Sequence, residues 1–140
     1  MGRYAIGMIY RDLYIGRWHV LFVFAPDGYD DNAILDILYD LDATDYILVK
    51  AEQKMRAARL NEGFTFSNKA TRKALVVIGP TTSAAQFQNT LVHEIHHLAV
   101  AVADSLGVDL EGETPAYLAG DSAMSLADII CRLGCDCRRD

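Results

Sequence analysis

One long amphipathic run, SAAQFQNTLVHEIHHLAVAVADSLG, constrains the fold more than any other part of the chain. Apolar residues recur in it at helical spacing from Phe87 to Val102. Ser83, followed three residues later by Gln86, matches a capping box, and Gly107 is a typical stop signal. The sequence therefore predicts a single helix from Ser83 to about residue 106, preceded by the strand-like stretch KALVVIG.

The five residues HEIHH lie in the middle of this predicted helix. Residues four apart share one helix face, so His93 and His97 can direct their imidazoles at one point. Zinc takes nitrogen ligands in a tetrahedral array, and two such histidines supply two corners. Glu94 can reach the open coordination position and act as a general base. The alternative is a pair of surface histidines that fall four residues apart by chance.

A catalytic zinc needs a third protein ligand, and the segment EGETPAYLAGD offers Glu113. If a last helix starts near Gly112, Glu113, Tyr117 and Asp121 fall along one stripe of it. This spacing predicts Glu113 as a zinc ligand, Tyr117 as a hydroxyl near the developing oxyanion, and Asp121 as a partner of a ligand histidine. An acidic residue that only favours the helix dipole is the alternative for Glu113.

Other polar residues compete for roles at this site. Glu111 and Asp104 are rival third ligands, although Asp104 lies about 10 Å beyond His97 along the helix axis. His96 is rotated around the helix from His93 and is expected beside the ligands rather than among them. His19 lies in an apolar predicted strand, which favours a core histidine with a satisfied hydrogen bond.

HEIHH followed by GETPAY resembles the gluzincin zinc metallopeptidases, and more closely the small peptidase-like proteins of phages and prophages of gut bacteria. The resemblance covers residues 64–133, and its specific part is HEIHH with Glu113, Ala116 and Tyr117. It implies that His93, His97 and Glu113 hold zinc and that Glu94 is the catalytic base. Large gluzincins carry N-E-x-x-x-D on the ligand helix, whereas Tyr117 stands four residues after Glu113 here.

The periodicity along the chain predicts an α+β fold in a single domain, residues 1–140, and the resemblance implies that this domain is zincin-like. We expect a small, mainly antiparallel sheet of three or four strands packed on helices, with the metal site between the last two helices. The predicted strands are 4–10, 18–25, 64–68 and 74–79, and the predicted helices are 31–42, 44–60, 83–106 and about 112–133.

Composition limits the classes of partner. The net charge of −6 and pI of about 5.1 disfavour nucleic-acid binding. No apolar run approaches the roughly 18 residues that a membrane span requires, and the first residues do not resemble a secretory signal. Because only three cysteines occur, Cys131, Cys135 and Cys137, we expect free thiols in a cytoplasmic protein rather than a disulfide framework. A thiolate site for a soft metal is the alternative.

These patterns predict a zinc-dependent metallopeptidase that acts on a peptide or protein substrate. The alternative from another class is an inactive gluzincin-like metal-binding protein that serves as an interaction module. A protease that cuts only one cellular repressor or phage protein is a further possibility within the enzyme class.

Overall fold

A computed structural model describes residues 7–135 of the chain. Its elements form an α+β fold, as predicted, in which a four-stranded sheet carries helices on both faces. The strands are β1 (Ile9–Ile15), β2 (Trp18–Phe24), β3 (Gly63–Asn68) and β4 (Lys73–Ile78), and the helices are α1 (Asp31–Asp40), α2 (Asp45–Ala57), α3 (Ala84–Ser105), α4 (Glu113–Ser125) and α5 (Ala127–Leu133).

The sheet has the strand order β1-β2-β4-β3. Two antiparallel hairpins, β1–β2 and β3–β4, meet at a parallel pair in the middle, where His19 aligns with Lys73 and Phe24 with Ile78. The sheet is therefore mostly antiparallel, and β3 is one of its two edge strands. β3 therefore has one edge without a neighbouring strand of this sheet, whereas β4 has neighbours on both sides.

Alternation along the central strands divides the core into two parts. Val20, Phe22 and Phe24 of β2 point into a cluster with α3, α4 and α5, whereas Val23 joins a second cluster with α1 and α2. Successive side chains of a strand point to opposite faces, so a strand covered on both faces is apolar throughout. Apart from His19 in β2 and Lys73 at the start of β4, both strands have this character.

The first strand begins later than predicted, at residue 9, and extends through Ile15 rather than ending at residue 10. Residues 4–6 of the predicted strand lie outside the described part of the chain. Gly16 and Arg17 both have positive φ, 56° and 71°, as in the two-residue turns that join twisted antiparallel strands. Gly-Arg is not a common hairpin signal, so the sequence predicted a first strand that lies too early in the chain.

Helix α3 has the predicted limits. The Ser83 hydroxyl accepts from the Gln86 N–H at 3.1 Å, and Gly107 follows the last turn with φ 70°. The predicted last helix is instead broken into α4 and α5 at Leu126, whose φ and ψ are −103° and 15°. Leu126 and Ile129 are both fully buried, so the break turns α5 and brings both side chains into the core.

Candidate functional site

His93 and His97 form the centre of the candidate site, on the exposed side of α3. Their Nε2 atoms lie 3.2 Å apart, and their rings meet edge to face with centroids 4.8 Å apart. Two nitrogen ligands at 2.0–2.1 Å from one tetrahedral zinc ion are separated by about 3.3–3.4 Å. The distance between the two nitrogen atoms is therefore close to that between two corners of a zinc site.

Glu94 lies next to this pair but turns into the protein, where its exposed fraction is only 4%. The Thr65 hydroxyl on β3 donates to Glu94 Oε1 at 2.8 Å. The other oxygen, Oε2, lies 4.0 Å from His93 Nε2. One carboxylate oxygen is thus held by the sheet while the other faces the histidines, as a general base for water between them requires.

Gly63 at the start of β3 allows this close approach of helix and sheet. A Cβ atom at this position would lie 2.4 Å from the Val77 carbonyl oxygen and 3.2 Å from Glu94 Cγ. Thr65 and Gly63 are two residues apart and so share the face of β3 that meets α3. Neither residue was predicted as part of the site, and the only signal for their position was the alternation of polar and apolar residues in GFTFSN.

An open cavity of about 410 Å³ joins these groups. His93, Glu94 and His97 line it on the α3 side, and Thr65 and Ser67 line it on the β3 side. Lys54 of α2 also borders this cavity, with its Nζ 3.5 Å from Glu62 Oε1. We expected the site between α3 and the last helix, but the cavity that both histidines line lies between α3 and edge strand β3.

The predicted stripe of Glu113, Tyr117 and Asp121 is present on α4, with Glu113 in its first turn. All three side chains are exposed, and Tyr117 retains 65% of its accessible surface. Leu118 and Ser122 occupy the buried side of the same helix.

Within residues 7–135, no group of three or more His, Cys, Asp or Glu side chains lies close enough to hold a metal ion. The structure brings His93 close to His97 and to Glu94, and Glu113 forms no such group with them in the described part of the chain. Glu113 as the third ligand, Tyr117 near the oxyanion and Asp121 beside a ligand histidine stay predictions.

The remaining polar candidates have other neighbours. Asp104 forms an ion pair with Lys69 in the β3–β4 loop, and Glu111 is exposed in the loop before α4. The ring of His96 is exposed and lies 6.2 Å from the His97 ring.

His19 is half-buried on β2 rather than in the core, with Nε2 2.7 Å from Asp12 Oδ1 of the neighbouring strand and its ring stacked on Tyr14. The expected hydrogen bond is therefore present, whereas the expected position in the core was wrong. Asp12 was not predicted as the partner of His19 because the first strand was predicted to end at residue 10.

The cysteines differ from one another. Cys131 is a free, exposed thiol, as expected, whereas Cys135 is disulfide-bonded, which corrects the expectation of free thiols at that position. Cys137 lies outside the described residues.

No helix in the described part of the chain is both long enough and apolar enough to cross a membrane. Comparison of the chain with family models, curated proteins and solved structures gives no significant match. The resemblance to gluzincins therefore rests on the residues of the sequence motif alone.

Proposed function

We propose that the chain is a zinc-dependent peptidase in which His93 and His97 bind the metal and Glu94 is the general base. The observation that carries this proposal is the 3.2 Å separation of the two Nε2 atoms beside a buried carboxylate. Two histidines that share a helix face by chance would not require their Nε2 atoms to lie this close. They also would not require a neighbouring carboxylate held by a strand residue. Glu113 is the proposed third ligand, and its contribution is tested separately.

The chemistry assigned to the chain is addition of water across a peptide bond. Zinc bound by the histidines would polarise the scissile carbonyl and lower the pKa of its water. Glu94 takes a proton from the attacking water while the water oxygen bonds to the carbonyl carbon. The C–N bond then breaks, and Glu94 returns the proton to the leaving nitrogen. Thr65 fixes the carboxylate so that Oε2 remains free for both transfers.

Metal content tests the ligands independently of any substrate. We expect near one zinc per chain by elemental analysis of the wild type, and loss of zinc in His93→Ala and His97→Ala. His96→Ala is the matched control, because this histidine is exposed on the same helix but lies outside the pair. Glu113→Ala should also lose zinc if Glu113 is the third ligand. Zinc retained in His93→Ala would contradict the proposed pair.

Catalysis is tested by incubation of wild type and Glu94→Gln with a peptide library, followed by mass spectrometry. Glu94→Gln keeps the size of the side chain but cannot accept the proton, and loss of a general base typically lowers the rate by about 10²–10⁴-fold. Equal cleavage by both proteins would contradict the role of Glu94 as general base. Zinc bound by the wild type with no cleavage of any peptide would favour the interaction module instead.

A further inference from the structure

The edge strand β3 has an open cavity on each of its two faces. On the α3 face lies the cavity with His93, Glu94 and His97. On the opposite face, a groove of about 360 Å³ runs between α2 and β3. We call it the α2–β3 groove; its lining includes Tyr46, Ile47, Lys50, Lys54, Phe64 and Phe66.

The two cavities adjoin at the free edge of the sheet. Lys54, Phe64 and Thr65 line both of them. A peptide strand added beside β3 would lie about 4.8 Å from it, with successive side chains directed to opposite faces. If one residue of the peptide points toward Glu94, its neighbours therefore point toward the α2–β3 groove.

The walls of the groove determine which side chains it can accept. Phe64, Phe66 and Ile47 are each only partly buried, so they offer apolar surface to a ligand. A large apolar side chain that enters would remove this surface from water, which is favourable in proportion to the area.

The charge at the groove is positive. Lys54 is already paired with Glu62, but Lys50 has no ion-pair partner within residues 7–135. Its Nζ lies 5.4 Å from the centre of the exposed Tyr46 ring, at the rim. An acidic side chain beside the apolar one would therefore meet an unpaired cation.

We propose that the α2–β3 groove is a specificity site for an extended peptide that pairs with β3, and that it selects a large apolar residue with acidic residues two positions away. Residues two apart in a strand share a face, which places both groups on the groove side. This inference rests on the proposed function, since it gives the peptidase its substrate class.

The test is direct binding, measured by calorimetry with Glu94→Gln protein both with and without added zinc, so that turnover is absent and the result does not depend on the metal. The probe is a nine-residue, acetylated and amidated peptide of serine and threonine with a central leucine and an aspartate two positions away on each side. We expect replacement of the leucine by serine to weaken binding at least tenfold. Replacement of both aspartates by lysine should weaken it at least fivefold.

Matched variants on α2 locate the binding surface. Ile47→Asp places a carboxylate in the groove and should weaken binding of the leucine peptide at least tenfold. Val49→Asp places the same charge on another side of α2, where Val49 is 52% exposed, and should change affinity less than twofold. Lys50→Glu, an exposed replacement, should reverse the preference from aspartate-flanked to lysine-flanked peptide, and it decides the question if Ile47→Asp does not fold.

The proposal is overturned by equal affinity for the leucine and serine peptides, by equal effects of Ile47→Asp and Val49→Asp, or by no binding at millimolar peptide. These outcomes concern the groove alone, because the assay requires no turnover. A failure of hydrolysis would instead appear in the metal and cleavage measurements, so the two proposals can fail separately.

Discussion

Among single residues, Glu94 combines burial with one side-chain hydrogen bond, the one donated by Thr65 at 2.8 Å. A buried polar group that loses its partner retains its full cost of desolvation. The spacing of HEIHH predicts that His93 and His97 share a helix face, and their Nε2 atoms lie 3.2 Å apart in the structure. Thr65 could not be predicted in the same way, because its contact depends on how β3 packs against α3.

Replacement of Thr65 tests this dependence. We expect Thr65→Val to lower the free energy of unfolding by about 1–3 kcal/mol, since the valine has a similar shape but no hydroxyl for the carboxylate. Thr65→Ser keeps the donor and should have a smaller effect. Urea unfolding at neutral pH measures both. If the two variants were equally stable, the hydrogen bond to Glu94 would make no net contribution.

Tyr29 supplies a second test at the level of one residue. Burial, with the nearby carboxylates of Glu62, Glu94 and Asp31, raises the pKa of Tyr29 to about 12, above its ordinary value of 10. Because the folded state then binds the phenolic proton more tightly than the unfolded state, this contribution is complete below pH 10 and is lost as the pH rises through 12. The melting temperature of Tyr29→Phe should therefore depend less on pH over this range than that of the wild type. An unchanged pH dependence would contradict the raised pKa.

The ends of helices and strands could be predicted where a cap or turn residue near in sequence determines them, and not elsewhere. Ser83 and Gly107 were sufficient to fix the ends of α3, because a helix cap acts through its nearest neighbours. The break at Leu126 was missed, since the apolar period continues through it and only the tertiary position of α5 requires the bend. The β1–β2 hairpin was missed because Arg17 adopts positive φ without the usual turn residue.

Two glycine substitutions compare a turn with a helix. Gly16 has φ 56°, and a Cβ atom there would lie 2.7 Å from Val102 Cγ1 on α3. Gly16→Ala should therefore lower the free energy of unfolding by at least about 1–2 kcal/mol, the ordinary cost of a left-handed conformation.

The matched control is Gly120→Ala in α4, where nothing lies within 4 Å of the added atom. It should raise the free energy of unfolding by about 0.5–1 kcal/mol, since alanine loses less conformational entropy in a helix. Denaturant melts of both variants give the comparison. A neutral Gly16→Ala would show that the turn or Val102 relaxes at little cost.

For the whole molecule, the class of fold followed from the sequence but the strand order did not. Alternation identified β2 and β4 as buried strands without showing that they are parallel neighbours. That pairing depends on α1 and α2 crossing one face of the sheet between the two hairpins. The position of the cavity has the same origin, because β3 becomes an edge only when β4 takes the place beside β2.

The meeting of two hairpins at one parallel pair has a consequence for the order of folding. Each hairpin closes a short loop, whereas the β2–β4 pair joins strands far apart in the chain and requires a larger loss of chain entropy. We expect β1–β2 and β3–β4 to acquire amide protection first in pulsed hydrogen exchange and the junction to follow. Protection of the junction first would reverse this order. Because β3, β4 and α3 are consecutive in the chain, the edge strand and the two histidines His93 and His97 belong to one local folding unit.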